Sequence, residues 1–302
     1  MTRHFLEIDD LAPSDLTDLL DLAERPPPPA LLAGRTVGLV FEKPSNRTRN
    51  ATEAAVVQLG GHPVSLQGAE IGLDVRESVE DVGRTLACYH AAVGARVFAH
   101  GTLERLAAVS AVPVVNLLSD VSHPLQALAD LLTLRQHWGA LSGRGLAWVG
   151  DFSNVARSLT LGAALSGVQV TVAAPAGYGP TEADTDRVAA LGGHLAVSDR
   201  PREAVAGADA VATDVWISMG QEGEAEARRR AFEGFTVDAS LMKEAVDGAA
   251  FLHCLPAHRG EEVAAEVVDG PASLVWPEAA NRMHAARALF WWLLAPPPVC
   301  GA

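Results

Sequence analysis

The sequence has no long apolar run and few cysteines, and both absences narrow the kind of protein it can be. No stretch of the 302 residues reaches the ~18 consecutive apolar residues of a membrane span. The first ten residues, MTRHFLEIDD, lack the apolar core of a signal peptide. The three cysteines, Cys88, Cys254 and Cys300, are too scattered to form a disulfide framework. The sequence therefore predicts a soluble, cytoplasmic protein without a membrane partner.

Positive charge is also scarce. The chain has 23 lysines and arginines against 37 aspartates and glutamates, and its formal net charge of −14 repels the phosphate backbone of a nucleic acid. The one dense basic run, 228–230, follows Glu224 and Glu226, which stand at helical i, i+4 spacing from Arg228 and Arg230. We interpret the run as a solvated helix face, and no nucleic-acid partner is expected.

The glycine pattern of dinucleotide-binding proteins is missing. Residues 148–154, WVGDFSN, follow a predicted strand and open a helix, but they lack G-x-G-x-x-G. The next strand ends at residues 173–175, Ala-Ala-Pro, where an acidic partner for the ribose is expected in such proteins. A nicotinamide-dependent dehydrogenase is therefore a minor alternative, and no cofactor is expected.

Paired metal-ligand spacings such as C-x₂-C are missing as well. His253, Cys254 and His258 are close in sequence, with His284 further on, so a metal-binding protein stays a second minor alternative. No metal is expected, because a structural zinc site usually shows paired ligands and a catalytic one needs a third ordered ligand.

Length and periodicity indicate the fold class. The chain fits two domains of roughly 150 residues each. Short apolar runs alternate with helical-period segments, a pattern typical of strand-helix-strand units. We predict an α/β protein with two doubly wound parallel-sheet domains joined by interdomain helices: a first domain at 1–133, a second at 134–278, and a last helix at 279–295 packing back on the first. The predicted strands are 36–41, 63–66, 96–99, 112–117, 145–149, 168–173, 210–213 and 250–253, and the predicted helices are 46–59, 78–90, 103–110, 124–134, 155–165 and 279–294.

The segment FEKPSNRTRN, residues 41–50, places several hydrogen-bond donors where a predicted strand gives way to a helix. A helix start leaves free N–H groups and a partial positive charge, and Arg47 can bind an oxyanion with two donors. Ligands of open α/β sheets lie outside the carboxyl ends of strands. A phosphate site and a plain helix cap, with Ser45 as the N-cap, are both consistent with this segment alone.

Four further segments place polar residues at predicted strand ends or helix starts. GARVFAHG puts Arg96 at a strand end, and SHPLQALADLLT puts His123 and Gln126 at a helix start. TDVWISMGQE and FLHCLPAHRGEEV each follow a strand of the second half. Their candidate residues are Asp214, Ser218, Met219, His253, Cys254, Leu255 and Pro256.

With these motifs, the chain resembles the aspartate/ornithine carbamoyltransferase family over nearly its whole length. Ser-x-Arg-Thr-Arg at 45–49 and His-Pro-x-Gln at 123–126 are shared by carbamoyltransferases. Asp-x-Trp-x-Ser-Met-Gly-Gln at 214–221 and His-Cys-Leu-Pro at 253–256 are typical of the ornithine branch. The tail motif of that family is present as Ala-Asn-Arg-Met-His at 280–284.

The resemblance implies transfer of a carbamoyl group from carbamoyl phosphate to the δ-amine of L-ornithine, giving L-citrulline and phosphate in arginine metabolism. It also implies a homotrimer or a multiple of trimers. Alternatives are a sibling enzyme that uses putrescine, lysine or an ornithine analogue, and a noncatalytic relative. The implied catalytic residues are Arg96, His123, Cys254 and Arg282; the carbamoyl phosphate ligands are Ser45, Asn46, Arg47, Thr48, Arg96, His123, Gln126, Cys254, Leu255 and Arg282; and the ornithine ligands are Asn154, Asp214, Ser218 and Met219.

The sequence departs from the family pattern at three places. Asn46 stands where the phosphate motif usually has Thr, and Phe152-Ser153 stand where the family has Gly-Asn. Gly72 lies where the family often offers a Gln or His to a neighbouring subunit's phosphate. We take Arg76 as a hypothetical substitute for that side chain.

Overall fold

The structure, a computed structural model, describes residues 2–28, 30–218 and 220–295, without the side chain of Glu222. The described residues separate into two compact units. The first unit contains residues 2–28, 30–129 and 280–295, and the second contains 130–218 and 220–279. The predicted site residue Met219 lies outside the described residues.

The first unit is built on a parallel sheet of four strands in the order β2-β1-β3-β4. A 3-10 helix at Ile8–Asp10 precedes its first α-helix. The strands are β1 (Thr36–Phe41), β2 (His62–Gln67), β3 (Ala92–Arg96) and β4 (Val114–Leu118), and the helices are α1 (Pro13–Glu24), α2 (Arg47–Gln58), α3 (Gly68–Ile71), α4 (Val79–Tyr89), α5 (His100–Val109) and α6 (Pro124–Trp138), the last of which runs on into the second unit.

The second unit is built on a parallel sheet of five strands in the order β7-β6-β5-β8-β9. A 3-10 helix at Glu222–Glu224 precedes α10. The strands are β5 (Gly145–Val149), β6 (Gln169–Ala173), β7 (Leu195–Ser198), β8 (Ala210–Thr213) and β9 (Ala250–His253), and the helices are α7 (Asn154–Ser166), α8 (Glu182–Ala190), α9 (Pro201–Val205), α10 (Ala225–Ala231), α11 (Ala239–Met242), α12 (Ala265–Val268) and α13 (Val275–Leu294), whose later residues belong to the first unit.

The predicted fold class is confirmed, since each unit is a parallel α/β sheet with helical connections. The bounds predicted for β1, β5, β8 and β9 match the structure, whereas β7 was not predicted. No helix among the residues that the structure describes has both the length and the apolarity to span a bilayer.

The third strand was predicted wrongly, at 96–99, because its residues are small. The strand is Ala92–Arg96, so the predicted bounds are wrong, whereas the prediction that Arg96 stands at a strand end is confirmed. Gly94 is favoured at its centre because a Cβ there would lie 3.0 Å from Leu39 Cδ2 and 3.1 Å from Leu117 Cδ1. Close packing by the neighbouring strands, which no local propensity reports, therefore stabilises a strand with a weak sequence signal.

Strand order fixes where a ligand can bind in each unit. After β1 the chain adds β2 on one side and later β3 on the other, so the order reverses between β1 and β3. In the second unit, β6 and β7 lie on one side of β5 and β8 lies on the other. Ligands of open α/β sheets bind outside the carboxyl ends of strands at such reversals. The motif at 41–50 and the motif at 213–222 follow strands at these two points.

Candidate active site

Thr48 is the centre of a buried cationic cluster in the first unit. Its hydroxyl oxygen accepts a hydrogen bond from Arg282 Nη2 at 2.6 Å and one from Arg96 Nη1 at 3.3 Å. All three side chains are buried, with exposed fractions of 3% for Thr48, 7% for Arg96 and 8% for Arg282. Two guanidinium groups so close together repel each other, and an anionic ligand would relieve that repulsion. The cluster therefore suits a phosphate or another small dianion.

His123 comes directly before α6 and is almost fully buried. Burial lowers the pKa of His123 well below its usual value, and the positive charges of Arg282, Arg96 and Arg47 lower that pKa further. The imidazole is therefore neutral at pH 7 and can donate one N–H hydrogen bond to an uncharged oxygen. Gln126, in the first turn of the same helix, is fully buried and carries an amide with both donors and an acceptor.

The start of α2 is open to a ligand. Asn46, not Ser45, is the N-cap residue, and its side chain makes no capping hydrogen bond. Asn50 Nδ2 donates instead to the Asn46 carbonyl oxygen at 2.8 Å and to Asn46 Oδ1 at 3.1 Å. The alternative of a plain cap at Ser45 is therefore wrong, and the first backbone N–H groups of α2 are not capped by the Asn46 side chain.

Lys43 adds another cation near this cluster, and sequence reasoning passed over it. Its Nζ lies 4.5 Å from the centre of the Phe98 ring. Burial lowers the pKa of Lys43, and the nearby Arg96 lowers it further. The motif FEKPSNRTRN could have predicted Lys43 as a ligand-binding residue, because Lys43 follows the end of β1, as Ser45 does.

In the second unit, Asp214 and Cys254 meet at the carboxyl ends of β8 and β9. The Cys254 thiol donates to Asp214 Oδ1 at 3.2 Å, and the Val215 N–H donates to the same oxygen at 2.8 Å. Asp214 is only 7% exposed, and this burial raises the pKa of its carboxyl group, although the nearby His253 opposes the shift. A buried carboxylate of this kind favours a cationic ligand, such as an ammonium group, that supplies the missing charge.

Cys254 and Leu255 belong to a segment held by buried hydrogen bonds. His253 Nδ1 accepts from the Leu255 N–H at 2.9 Å, so its Nε2 carries the proton and donates to Glu262 Oε1, with 3.1 Å between nitrogen and oxygen. The His253 backbone N–H donates to Glu278 Oε2 at 3.0 Å. Leu255 has a positive φ of 61°, a conformation that a non-glycine residue adopts only where its surroundings enforce it. Glu262 and Glu278 therefore position this segment.

Arg228 corrects the interpretation of the basic run as a solvated face. Its side chain is only 6% exposed and forms an ion pair with Asp151, while its Nε donates to the Trp216 carbonyl oxygen at 2.5 Å. Arg229 and Arg230 are exposed as expected, and the predicted pair Glu226–Arg230 has a distance of 3.3 Å. The guanidinium of Arg228 thus ties the turn after β5 to the segment after β8.

Asp151, the ion-pair partner of Arg228, is also largely buried. Burial raises the pKa of Asp151, Arg228 opposes that shift, and the nearby Asp214 adds to it. The motif WVGDFSN led to the prediction of Asn154 as a site residue, but not of Asp151. No sequence pattern predicted that Arg228 is buried, because three consecutive arginines in a helix do not reveal which of them faces the protein interior.

Asn154 is the first residue of α7, and Ser153 is its N-cap. The Ser153 hydroxyl accepts a hydrogen bond from the Val155 N–H at 3.3 Å, so Ser153 performs the capping that Asn can perform in the family pattern. Phe152 donates its backbone N–H to the Tyr178 carbonyl oxygen at 2.9 Å. Ser218 donates its N–H to Gln221 Oε1 at 3.0 Å, which fixes the segment just before Met219.

The predicted site residues therefore fall into two groups, one in each unit. The structure places the Thr48 cluster and His123 near one another, and it places Asp214 next to Cys254. Gly72 ends α3 with a φ of 64°, and Arg76 is exposed. The first unit contains Ser45, Asn46, Arg47, Thr48, Arg96, His123, Gln126 and Arg282, and the second contains Asn154, Asp214, Ser218, Cys254 and Leu255.

Each of the two units matches the model of a known protein family. A family model described as "Aspartate/ornithine carbamoyltransferase, carbamoyl-P binding domain" matches residues 3–136. A second, described as "Aspartate/ornithine carbamoyltransferase, Asp/Orn binding domain", matches residues 142–293. The chain belongs to the aspartate/ornithine carbamoyltransferase family. The predicted resemblance is confirmed.

Individual carbamoyltransferases are similar over almost the full length. An ornithine carbamoyltransferase from Acidothermus cellulolyticus is 50% identical over 303 residues, which cover 97% of each chain. The structure of ornithine carbamoyltransferase from Pyrococcus furiosus is 41% identical with a TM-score of 0.91 and covers 96% of each chain. An N-acetyl-L-ornithine transcarbamylase structure is 30% identical with a TM-score of 0.86, covering 95% of this chain and 98% of that one.

Proposed function

We propose that this chain transfers the carbamoyl group of carbamoyl phosphate to the δ-amine of L-ornithine, giving L-citrulline and phosphate. The observation that carries the proposal is the buried cluster of Arg96 and Arg282 on the Thr48 hydroxyl, beside the neutral His123. The family models support assigning carbamoyl phosphate to the first unit and ornithine to the second.

Carbamoyl phosphate is a small dianionic ester, and the first unit offers matching donors for both of its ends. Ser45, Asn46 and Arg47, with the backbone N–H groups at the start of α2, bind the phosphate. The carbonyl oxygen gains negative charge during attack and accepts hydrogen bonds from Arg96, His123 and Thr48. Because His123 is neutral, it stabilises this oxygen without repelling the arginines. Gln126 and Arg282 complete the proposed set, and contacts of Cys254 and Leu255 with carbamoyl phosphate stay a prediction.

The α-carbon of ornithine carries a positively charged amino group and a negatively charged carboxylate. The second unit offers a partner for each of these two groups. Asp214 binds its α-amino group, because a buried carboxylate with a raised pKa is stabilised by an ammonium partner. Asn154 and Ser218 bind the α-carboxylate through an amide and a hydroxyl, and Met219 contributes its backbone. Cys254, which donates to Asp214, lies beside the attacking amine.

The reaction needs no protein nucleophile. The deprotonated δ-amine attacks the carbonyl carbon, the bond to the phosphate oxygen breaks, and the departing phosphate accepts the proton. Orientation supplies much of the rate, since effective molarities reach ~10⁵ M or more. Stabilisation of the oxyanion supplies a further part.

A sibling acceptor is the second candidate function. Phe152-Ser153 replace the family's Gly-Asn directly before Asn154, so the side chains around the ornithine α-carbon differ. The similarity to an N-acetyl-L-ornithine transcarbamylase supports keeping this alternative. Asp214 favours an acceptor with a free α-amino group over an acetylated one.

The deciding experiment measures citrulline or its analogues from carbamoyl phosphate with ornithine, N-acetylornithine, putrescine, lysine and aspartate as acceptors. Turnover largely confined to ornithine supports the proposal, and preference for another amine transfers the assignment to a sibling enzyme. No turnover with any acceptor, together with retained binding of carbamoyl phosphate by calorimetry, identifies a noncatalytic relative. Asp214→Asn should lose ornithine turnover while keeping carbamoyl phosphate affinity.

Assembly and location are part of the proposal. We infer a homotrimer, or a multiple of trimers, acting in the cytoplasm, on the basis of the family resemblance and the scattered cysteines. Light scattering behind a sizing column checks the mass, and Arg76→Ala tests whether Arg76 serves a neighbouring subunit's phosphate. An Arg76→Ala enzyme with an unchanged KM for carbamoyl phosphate contradicts that assignment.

A further inference from the structure

The turn that follows the His253–Leu255 segment contains three potential metal ligands that the proposed reaction does not use. His258, Glu261 and Glu262 each offer one ligand atom, and these atoms all lie within 4.8 Å of one another. They come from five consecutive residues, which gives one imidazole and two carboxylates on a single turn.

Glu262 supplies an independent reason to expect a ligand here. Its side chain is fully buried, and Oε1 lies 3.1 Å from His253 Nε2 and also accepts from the His258 N–H at 2.5 Å. The other oxygen, Oε2, is also buried and accepts no hydrogen bond from any residue that the structure describes. A buried carboxylate oxygen without a donor is costly, and a bound ion or water removes that cost.

The geometry around Oε2 suits an ion. His258 Nδ1 lies 3.8 Å from Glu262 Oε2. Metal bonds to imidazole nitrogen and carboxylate oxygen are about 2.0–2.2 Å long, so one ion can bridge atoms up to roughly 4.2 Å apart. The His258 side chain is 48% exposed, which gives the ion a route from solvent. The hydrogen bonds to Oε1 hold the carboxylate in place, as outer-shell bonds hold metal ligands in general.

We propose that His258, Glu261 and Glu262 bind one divalent transition-metal cation, with water completing its coordination. One nitrogen and two carboxylate oxygens favour ions such as Mn²⁺, Co²⁺ or Zn²⁺. Arg229 opposes binding, because it donates to Glu261 Oε1 at 3.1 and 3.2 Å and places a positive charge beside the site. This inference goes beyond carbamoyl transfer and does not depend on it.

A neighbouring group must be kept separate in any test. Asp214, His253 and Cys254 also offer ligand atoms within 4.8 Å of one another. Both ring nitrogens of His253 have partners there, and the thiol donates to Asp214. A thiolate favours soft or borderline ions such as Zn²⁺, whereas Mn²⁺ prefers oxygen ligands, so Mn²⁺ is the appropriate probe.

The test titrates the full-length protein with MnCl₂ and follows the electron paramagnetic resonance signal of free Mn²⁺. We expect one bound Mn²⁺ per chain, weakened at least about tenfold by His258→Ala and by Glu261→Gln. Arg229→Gln should bind more tightly, because it removes the opposing charge. Cys254→Ser and the matched surface control Glu266→Gln should bind as the unaltered protein does.

Three results would overturn the site. The first is no bound Mn²⁺ at millimolar concentration, and the second is equal affinity in the His258→Ala variant. The third is equal weakening by Glu266→Gln and Glu261→Gln, which would indicate diffuse attraction to a chain of net charge −14. Each readout is independent of turnover, so failure of the site and failure of the proposed reaction are distinguishable.

Discussion

At the scale of single residues, Thr48 shows how a small side chain positions two large ones. Its hydroxyl holds Arg96 and Arg282 by hydrogen bonds of 3.3 and 2.6 Å. Thr48→Val keeps the shape and removes the acceptor, so the two guanidinium groups lose their common anchor.

We expect Thr48→Val to lower kcat/KM for carbamoyl phosphate by about 10²-fold, the size of effect seen when one oxyanion donor is lost. Thr48→Ser keeps the hydroxyl and is the matched control. Steady-state kinetics at saturating ornithine measure both variants. A Thr48→Val enzyme within about twofold of the unaltered protein would contradict the assignment.

Arg228 is the second residue whose surroundings allow a sharp test. Arg228→Gln leaves Asp151, whose side chain is only 16% exposed, without its partner, and removing one member of a buried ion pair costs about 3–5 kcal/mol. We expect a decrease of about 3 kcal/mol in the free energy of unfolding, measured by urea denaturation.

Arg230→Gln is the control for this change, because its side chain is 72% exposed and such surface pairs contribute about 0–1 kcal/mol. Asp151→Asn combined with Arg228→Gln should be less destabilised than Arg228→Gln alone, since no unpaired charge remains. Equal effects of Arg228→Gln and Arg230→Gln would show that the Asp151 pair contributes nothing.

At the scale of secondary-structure elements, the start of α7 depends on Ser153. Ser153→Ala removes the capping oxygen, and we expect a loss of about 1 kcal/mol in unfolding free energy. Ser153→Asn, which restores the residue of the family pattern, should recover most of that loss, because Asn caps as well as Ser. Thermal and urea denaturation of both variants check this expectation, which would be wrong if Ala and Asn gave the same stability.

Sequence patterns predicted these elements unevenly, and the reasons are physical. The strands β5, β8 and β9 were predicted with the right bounds because their β-branched or aromatic residues form compact apolar runs. The strand β3 was misplaced because close packing of Leu39 and Leu117 on Gly94, not propensity, stabilises it.

The candidate site was predictable where a motif places hydrogen-bond donors at a strand end, as at 41–50. It was less predictable where the role of a residue depends on its burial. Arg228 and Glu262 are polar residues in polar stretches, and only the structure shows that they are buried. A polar residue that supports another polar residue has no periodicity of its own, so sequence patterns do not reveal it.

At the scale of the whole molecule, His123 links stability to pH. Its pKa is lowered well below the usual value in the folded protein, so below about pH 6.5 the unfolded chain binds a proton that the folded chain does not. Stability therefore falls as pH falls through that value, and the contribution is constant above it.

We expect the unaltered protein to lose about 1.4 kcal/mol more than His123→Asn between pH 8 and pH 5.5. The other histidines and the carboxyl groups are common to both proteins and cancel in the difference. Urea denaturation across this range gives the two curves. Parallel curves would mean that His123 is not held neutral by the fold.

The pH dependence of turnover tests the reaction as a whole. The δ-amine of ornithine has an intrinsic pKa near that of lysine, ~10.4, and must lose its proton before attack. We expect kcat/KM for ornithine to rise toward alkaline pH, and a flat profile from pH 6 to pH 9 would count against direct amine attack. The measurement uses saturating carbamoyl phosphate, so that the profile reports ionisations of ornithine and of the enzyme to which carbamoyl phosphate is already bound.

The two reversals of strand order have a consequence for how such a molecule can change over evolutionary time. The donors proposed for the activated group and those proposed for the amine follow different sheets, each at its own reversal. Substitutions after β5 or β8 can therefore alter acceptor choice while the Thr48 cluster keeps its hydrogen bonds. Phe152 and Ser153 follow β5 and are therefore positions of this kind. Enzymes that keep the first unit unchanged can thus evolve towards new amine acceptors through a few substitutions in the second unit.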